Sequence, residues 1–230
     1  MRSPLALLAL AATVTLGACA PSVDAAARAD VDRRMAALSM SGTAIPAPTS
    51  ATPMPMAAGQ WATYKFISNK GEPSFITMKL VGQEGPAFWY ELLNETYYGK
   101  TATRMLVDFG DRKSPDTISI KAAKIKDTKG QVTEYPENMI GLMNSILRGN
   151  MGPIAIDWTN MPQEDATVPA GKFTGCYKTR TQVSFAGFVT ASTALGHTAV
   201  PLSGLVRSMG DKGESMELVA YGTSGAQSEF

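Results

Sequence analysis

Residues 60–68, QWATYKFIS, alternate: Tyr64 and Phe66 fall on one side of an extended chain, and Thr63 and Lys65 on the other. Successive side chains of a strand point to opposite faces, so a period of two marks a strand with one face in a core and one in water. The period recurs in 74–82 (SFITMKLVG), where Ile76, Met78 and Leu80 oppose Thr77 and Lys79. In 87–94 (AFWYELLN), Phe88, Tyr90 and Leu92 oppose Glu91, and in 102–109 (ATRMLVDF), Met105 and Val107 oppose Arg104. Residues 117–125 (TISIKAAKI) alternate Ile118 and Ile120 with serine and lysine. The runs are separated by NKGEP, QEGP, NETYYGK and DRKSPD, clusters of turn formers. This is the pattern of an antiparallel meander with one apolar face. Tyr64, Phe66, Met78, Leu80, Phe88, Tyr90, Met105 and Val107 are predicted to line its inside, with Lys65, Lys79, Glu91 and Arg104 in solvent.

One helix interrupts the strands. In 136–149 (PENMIGLMNSILRG), Pro136 suits the first helical position, Glu137 favours the positive end of the dipole, and Gly149 suits the stop. Met139, Leu142, Met143, Ile146 and Leu147 recur at i, i+3, i+4, i+7 and i+8, an apolar face. The plain expectation is a helix packed on a sheet. The functional one is a lid over an apolar space, with Met139, Leu142, Met143 and Ile146 touching a ligand and methionine adapting to varied lipids. The last third returns to strands: 164–185 as strand, turn and long strand, 187–193 as a short one, and 204–222 as a hairpin turning at Gly210–Gly213.

Outward from the domain, the front of the chain carries Arg2 and then an apolar run from Leu5 to Leu16. That is the layout of a secretory signal, too short to span a bilayer. Leu16-Gly17-Ala18-Cys19 resembles the bacterial lipobox. The resemblance implies cleavage after residue 18 and lipidation of Cys19, with acyl chains that anchor the chain in a membrane. Ala20, in place of a retention aspartate, points to the periplasmic face of the outer membrane. Residues 22–40 read as a short helix with Asp24/Arg28 and Asp30/Arg34 pairs and a Val31, Met35, Leu38 stripe. Residues 41–59 hold Pro46, Pro48, Pro53 and Pro55 among Ala, Thr and Ser, a composition that favours extended chain. The organisation expected is therefore a signal peptide over 1–18, a lipidated N-terminus and flexible tether over 19–58, and one folded domain over 59–230.

Composition narrows the chemistry. Apolar residues at 44% and charged ones at 18% suit a core-forming protein, and a net charge of +1 offers nothing to nucleic acid. With Cys19 lipidated, Cys176 is left unpaired and reads as a small buried hydrophobe. A single histidine, His197, is the one imidazole for any triad, and LGHTAVP reads as a surface loop. The nucleophile elbow, the HExxH zinc motif, the phosphate-binding loop and the dinucleotide glycine motif do not occur. No cofactor, metal site or catalytic residue is expected, and an enzyme is disfavoured.

Two further stretches, VPAGKFTGCYK (168–178) and TAVPLSGLVRSM…MELVAYG (198–222), together with GQWATYKF and SFITMKLVGQEGPAFWYEL, resemble bacterial envelope proteins related to the LolA/LolB carriers and the LppX/LprG lipid-binding lipoproteins. The resemblance covers roughly residues 59–226. It implies a mainly β (α+β) fold, a strongly curved antiparallel half-barrel closed by one or more helices, with acyl chains held between sheet and helix. The function expected is binding of a lipid or of lipoprotein acyl chains by a membrane-anchored carrier. The alternative is an accessory envelope lipoprotein with a filled core.

Overall fold

The computed structural model describes residues 22–110, 117–150, 158–185 and 188–230. The signal peptide and Cys19 lie outside the described residues. Among those described, the chain is mainly β, with two α-helices. After helix α1 (Ala25–Ala36) come β1 (Ala44–Ile45), β2 (Trp61–Ile67), β3 (Pro73–Glu84), β4 (Ala87–Thr96), β5 (Gly99–Asp108), β6 (Ser119–Lys126) and β7 (Val132–Glu134). Helix α2 (Glu137–Asn150) follows, then β8 (Gln163–Val168), β9 (Gly171–Phe185), β10 (Phe188–Gly196), β11 (Leu205–Gly210) and β12 (Ser215–Gly222).

The strands form one twelve-stranded mixed sheet, ordered β1-β9-β10-β11-β12-β2-β3-β4-β5-β6-β7, with β8 paired to β9. Among the described residues only β1–β9 is parallel; the other pairs are antiparallel, and the two ends of the order do not join into a barrel. The meander expected over 60–125 is β2 to β6.

Flat, the sheet would hold β9 and β12 about 14 Å apart, three spacings of ~4.8 Å. Instead the rings of Phe173 on β9 and Tyr221 on β12 lie 6.1 Å apart. Phe173 and Cys176 share one buried cluster with Tyr64, Ile76, Leu80 and Leu218, and the Arg207 guanidinium on β11 donates to the Thr167 carbonyl on β8. The β8–β9 end thus bends back over β11, β12 and β2. A second, smaller cluster sits under α2 and holds Met105, Val107, Ile118, Ile120, Ala123 and Ile140.

The register follows the alternation. Tyr64 pairs with Ile76, Met78 with Leu92, Leu80 with Tyr90, Tyr90 with Met105 and Phe88 with Val107, so the predicted inward set shares one face. Bulges after Leu80 and Leu106 absorb the breaks in the count.

The outer face is not the solvated one expected. Helix α1 lies across it, capped by Asp24, whose carboxylate accepts the Ala27 N–H at 2.8 Å. Its Val31 is buried, and its Arg34 pairs with Glu95 at 2.7 Å while stacking on the Phe75 ring at 3.9 Å. Within the helix the pairs are Arg28–Asp32 and Arg33–Asp30 rather than those read from spacing. Residues 226–230 cover the rest. Glu91, expected in water, is wholly buried: it accepts from Arg104 at 3.1 Å, from the Ser228 hydroxyl at 2.9 Å and from the Glu229 N–H at 3.0 Å. Lys79 reaches the Glu229 carboxylate at 2.6 Å, and Lys65, Lys79 and Arg104 keep only modest exposure.

The stretch 41–58 does not hang free either. Ile45 is buried, β1 pairs with β9, the Lys172 N–H donates to the Thr43 carbonyl, and the Tyr177 hydroxyl donates to the Ser50 carbonyl. The opening for it is made by glycine. A Cβ on Gly171 would come within 2.6 Å of the Ile45 side chain, and one on Gly175 within 3.1 Å of Ala47. A proline-rich segment cannot build a core alone, but here it borrows one.

Candidate functional site

The inner face of β2–β5 is where an apolar ligand was expected, and burial divides the predicted residues in two. Tyr64 and Leu80 are fully enclosed in the larger cluster, and Met105 and Val107 are buried in the smaller. Phe66, Met78, Phe88 and Tyr90 are only partly covered and pack against the larger cluster from outside. Tyr90 touches both clusters and so marks the seam between them.

At that seam Phe109 stands 6.3 Å from Tyr90, edge to face, and 6.4 Å from Phe88. Such tilted ring pairs are the preferred aromatic geometry. Phe109 was not among the predicted site residues, although the alternation through Met105 and Val107 reaches it two residues later. The phenols here are desolvated. Burial, with the nearby Tyr64 phenol as a lesser cause, holds the Tyr90 hydroxyl above its ordinary pKa. Burial does the same to Tyr64, whose hydroxyl donates to the Leu205 carbonyl at 3.1 Å. Both remain neutral and apolar in character at physiological pH.

Helix α2 flanks the seam on the β6 side, but in a different rotation from the one predicted. Ile140 is buried, Met139 and Met143 are partly covered, and Leu142 is 53% exposed. The Ile146 side chain lies outside the described set. The reason is Asn144, a polar residue outside the predicted apolar face. Its amide accepts from the Ile120 N–H at 2.7 Å and donates to the Ile120 carbonyl at 2.8 Å. Strand β7 pairs only with residues 124–126, so Asn144 satisfies a backbone edge that β7 does not reach. This bidentate clasp turns the helix so that Ile140, Met143 and Asn144 face the sheet, and Leu142 is removed from the inner face.

The remaining candidates for chemistry are occupied structurally. His197, expected at the surface, is buried: the Ala199 N–H donates to its Nδ1 at 3.1 Å, so the proton is on Nε2, which donates to the Pro46 carbonyl at 3.1 Å. Desolvation lowers its pKa, so the ring is neutral and both nitrogens are committed to backbone. Cys176 is enclosed in the larger cluster, and burial pushes its thiol up to about 11. Among the described residues no group of three His, Cys, Asp or Glu side chains is placed to hold a metal, and no helix is long and apolar enough to cross a membrane.

Comparison with protein-family models, with curated proteins and with solved structures finds no match to this chain. The site is therefore read on its own geometry: Phe66, Met78, Phe88 and Tyr90 lie partly covered along the inner face, Phe109 stands beside Phe88 and Tyr90, and Met143 of the helix packs on the smaller cluster. It offers apolar, polarisable area and no general base.

Proposed function

We propose that the chain is a bacterial envelope lipoprotein, anchored through Cys19, that holds an acyl chain or other apolar lipid on the inner face of a strongly curved, LolA-like half-barrel. The observation that carries the reading is the incomplete cover of Phe66, Met78, Phe88 and Tyr90. They lie on the same sheet face as the fully enclosed Tyr64 and Leu80, yet neither the β8–β9 fold-back nor α2 closes over them. Apolar side chains left partly covered along one sheet face, which reaches the seam of the two core clusters at Tyr90, are what an exchangeable apolar ligand would complete, at about 25 cal/mol for each Å² removed from water. A ligand of this kind needs contact area rather than acids or bases, which accords with His197 being fully engaged elsewhere. The place of action proposed is the periplasmic face of the outer membrane, and the role is carriage of lipid or of lipoprotein acyl chains.

The second reading, an accessory lipoprotein with a filled core, is favoured by one observation: Tyr64, Leu80, Val206 and Leu218 are completely enclosed, so half of the inner face is already packed by the protein itself.

The test is binding of a fluorescent fatty acid to the purified chain, with native mass spectrometry of protein taken from its own envelope. Phe88→Ala and Phe109→Ala should each abolish probe binding in protein that is still folded at the assay temperature, with Tm lowered by several degrees because both rings also pack against the core clusters. A wild type that binds no apolar probe and carries no lipid ends the carrier reading in favour of the filled core. Cys19→Ser tests the anchor separately: it should release the protein from the membrane fraction.

A further inference from the structure

Three hairpin turns of the sheet repeat one short pattern: Asn69-Lys70-Gly71 between β2 and β3, Thr128-Lys129-Gly130 between β6 and β7, and Asp211-Lys212-Gly213 between β11 and β12. The glycines take φ of 79°, 82° and 91°. Each turn closes with the same two backbone bonds. Gly71 N–H donates to Ser68 O and Ser68 N–H to Glu72 O, and the pairs Gly130–Asp127 with Asp127–Gln131 and Gly213–Gly210 with Gly210–Glu214 repeat this. That is a type I turn followed by a glycine bulge, with lysine at the third turn position and its side chain in solvent.

The strand pairing brings these turns to one rim. Ser215 pairs with Ile67 and Ile67 with Pro73, which sets the β11–β12 and β2–β3 turns side by side. The β4–β5 turn, carrying Tyr97, Tyr98 and then Lys100, lies at the same end, closed by the Thr96–Gly99 pair. It abuts the β6–β7 turn so closely that a Cβ on Gly99 would come within 2.8 Å of the Thr128 side chain. The described chain also enters here: the Asp24 N–H donates to the Tyr97 carbonyl at 2.9 Å, with Val23 48% and Tyr98 37% exposed. The carboxylates at this rim are Glu72, Asp127, Asp211, Glu214, Asp24 and Asp32, the last accepting from the Tyr97 hydroxyl at 2.6 Å. Asp127 is held by the Lys129 and Gln131 N–H groups, Asp211 stands 3.8 Å from Arg180, and Asp24 caps α1. Lys100 is taken by Glu229 at 2.8 Å.

We infer that this rim is a bilayer-docking surface. Cys19 stands only a few residues before Asp24, the first of the described residues with a hydrogen bond to the sheet, and a stretch of that length reaches at most about 17 Å. Because α1 and residues 41–58 are packed on the sheet, no slack remains to hold the domain farther off. An acylated Cys19 therefore brings the lysines of the three turns to the headgroup phosphates, with Tyr98 and Val23 at the headgroup–acyl boundary. The β3–β4 turn at Glu84–Gly85, at the opposite rim, faces away from the membrane. The inference rests on the anchoring proposed above.

The test uses the full lipidated chain in vesicles of phosphatidylethanolamine and phosphatidylglycerol, some lipids carrying a nitroxide at the headgroup. A fluorophore is placed on a single introduced cysteine at Lys70→Cys, Lys129→Cys, Lys212→Cys or Glu84→Cys; Cys176 is buried and does not compete. Quenching at the three rim positions and none at Glu84 is the expected result. Vesicle-bound protein in which the rim labels are quenched no more than the Glu84 label overturns the docking surface and leaves the anchor standing. Protein that does not stay with the vesicles removes the anchor, and the docking surface with it.

Discussion

Glu91→Ala separates two descriptions of the outer face of the sheet. A glutamate on a solvated strand face would tolerate truncation at a cost within ~0.5 kcal/mol. In this structure the Glu91 side chain is wholly buried and the side chain of its partner Arg104 is 17% exposed. Truncation removes both Arg104 hydrogen bonds, at 3.2 and 3.1 Å, and leaves the Ser228 hydroxyl and the Glu229 N–H without their acceptor. Breaking a buried ion pair by deleting one partner costs about 3–5 kcal/mol. Arg104 can turn partly toward water and keeps the ring of Phe230 at 4.7 Å, so the lower end, about 3 kcal/mol, is expected. For a domain of this size each kcal/mol moves Tm by roughly 2–4 °C, which makes the fall about 6–12 °C. The control is Glu164→Ala, whose pair with Lys178 is about half exposed on both sides and should be worth about 0–1 kcal/mol. Urea and thermal unfolding followed by circular dichroism measure both. If Glu91→Ala costs no more than Glu164→Ala, residues 226–230 do not cover the sheet as described and the reasoning fails.

The other predictions concern α2, the N-terminal segment and pH. Ile140→Ala should destabilise by about 2–5 kcal/mol while Leu142→Ala costs under about 0.5 kcal/mol; the reverse order in urea unfolding would mean that the helix is rotated as its sequence alone had indicated. Asn144→Ala leaves the N–H and carbonyl of Ile120 unpaired and should cost about 1–3 kcal/mol, with faster amide exchange at Ile120 as the local sign. Ile45→Asp should lower Tm by several degrees, whereas a free tether would leave it unchanged. The native pKa of His197 is depressed, so its contribution to stability is complete above the unfolded value of about 6.5 and is lost as pH falls below it. Tm should therefore decline on acidification from pH 7, and His197→Gln should flatten that slope. Glu229 acts in a lower window: burial opposes its ionisation, but Lys100 and Lys79 outweigh this and hold its carboxyl below the ordinary range, so its share is lost only under more acidic conditions.

The period-two runs from Gln60 to Ile125 determined the meander, its register and the composition of its inner face by themselves, because alternation in a strand is a local property that any one-faced sheet imposes. The helix within residues 22–40, the turns at Asn69–Gly71 and Gly210–Gly213 and the burial of Cys176 were equally local. What covers each face was not. Glu91 looks solvent-facing from its neighbours and is buried by a segment more than 130 residues later, and Ile45 lies in a proline-rich stretch but fills space left by Gly171. His197 reads as a loop residue and is enclosed because its two nitrogens meet Pro46 and Ala199. Asn144 turned α2 through a hydrogen-bond pair that hydrophobic periodicity does not register, exposing Leu142. Periodicity reports which side of an element is apolar; which segment settles on that side depends on long-range closure of the chain. The fold-back of β8 and β9, and with it the division of the inner face into packed core and partly covered remainder, exists only once β9 has come over β12.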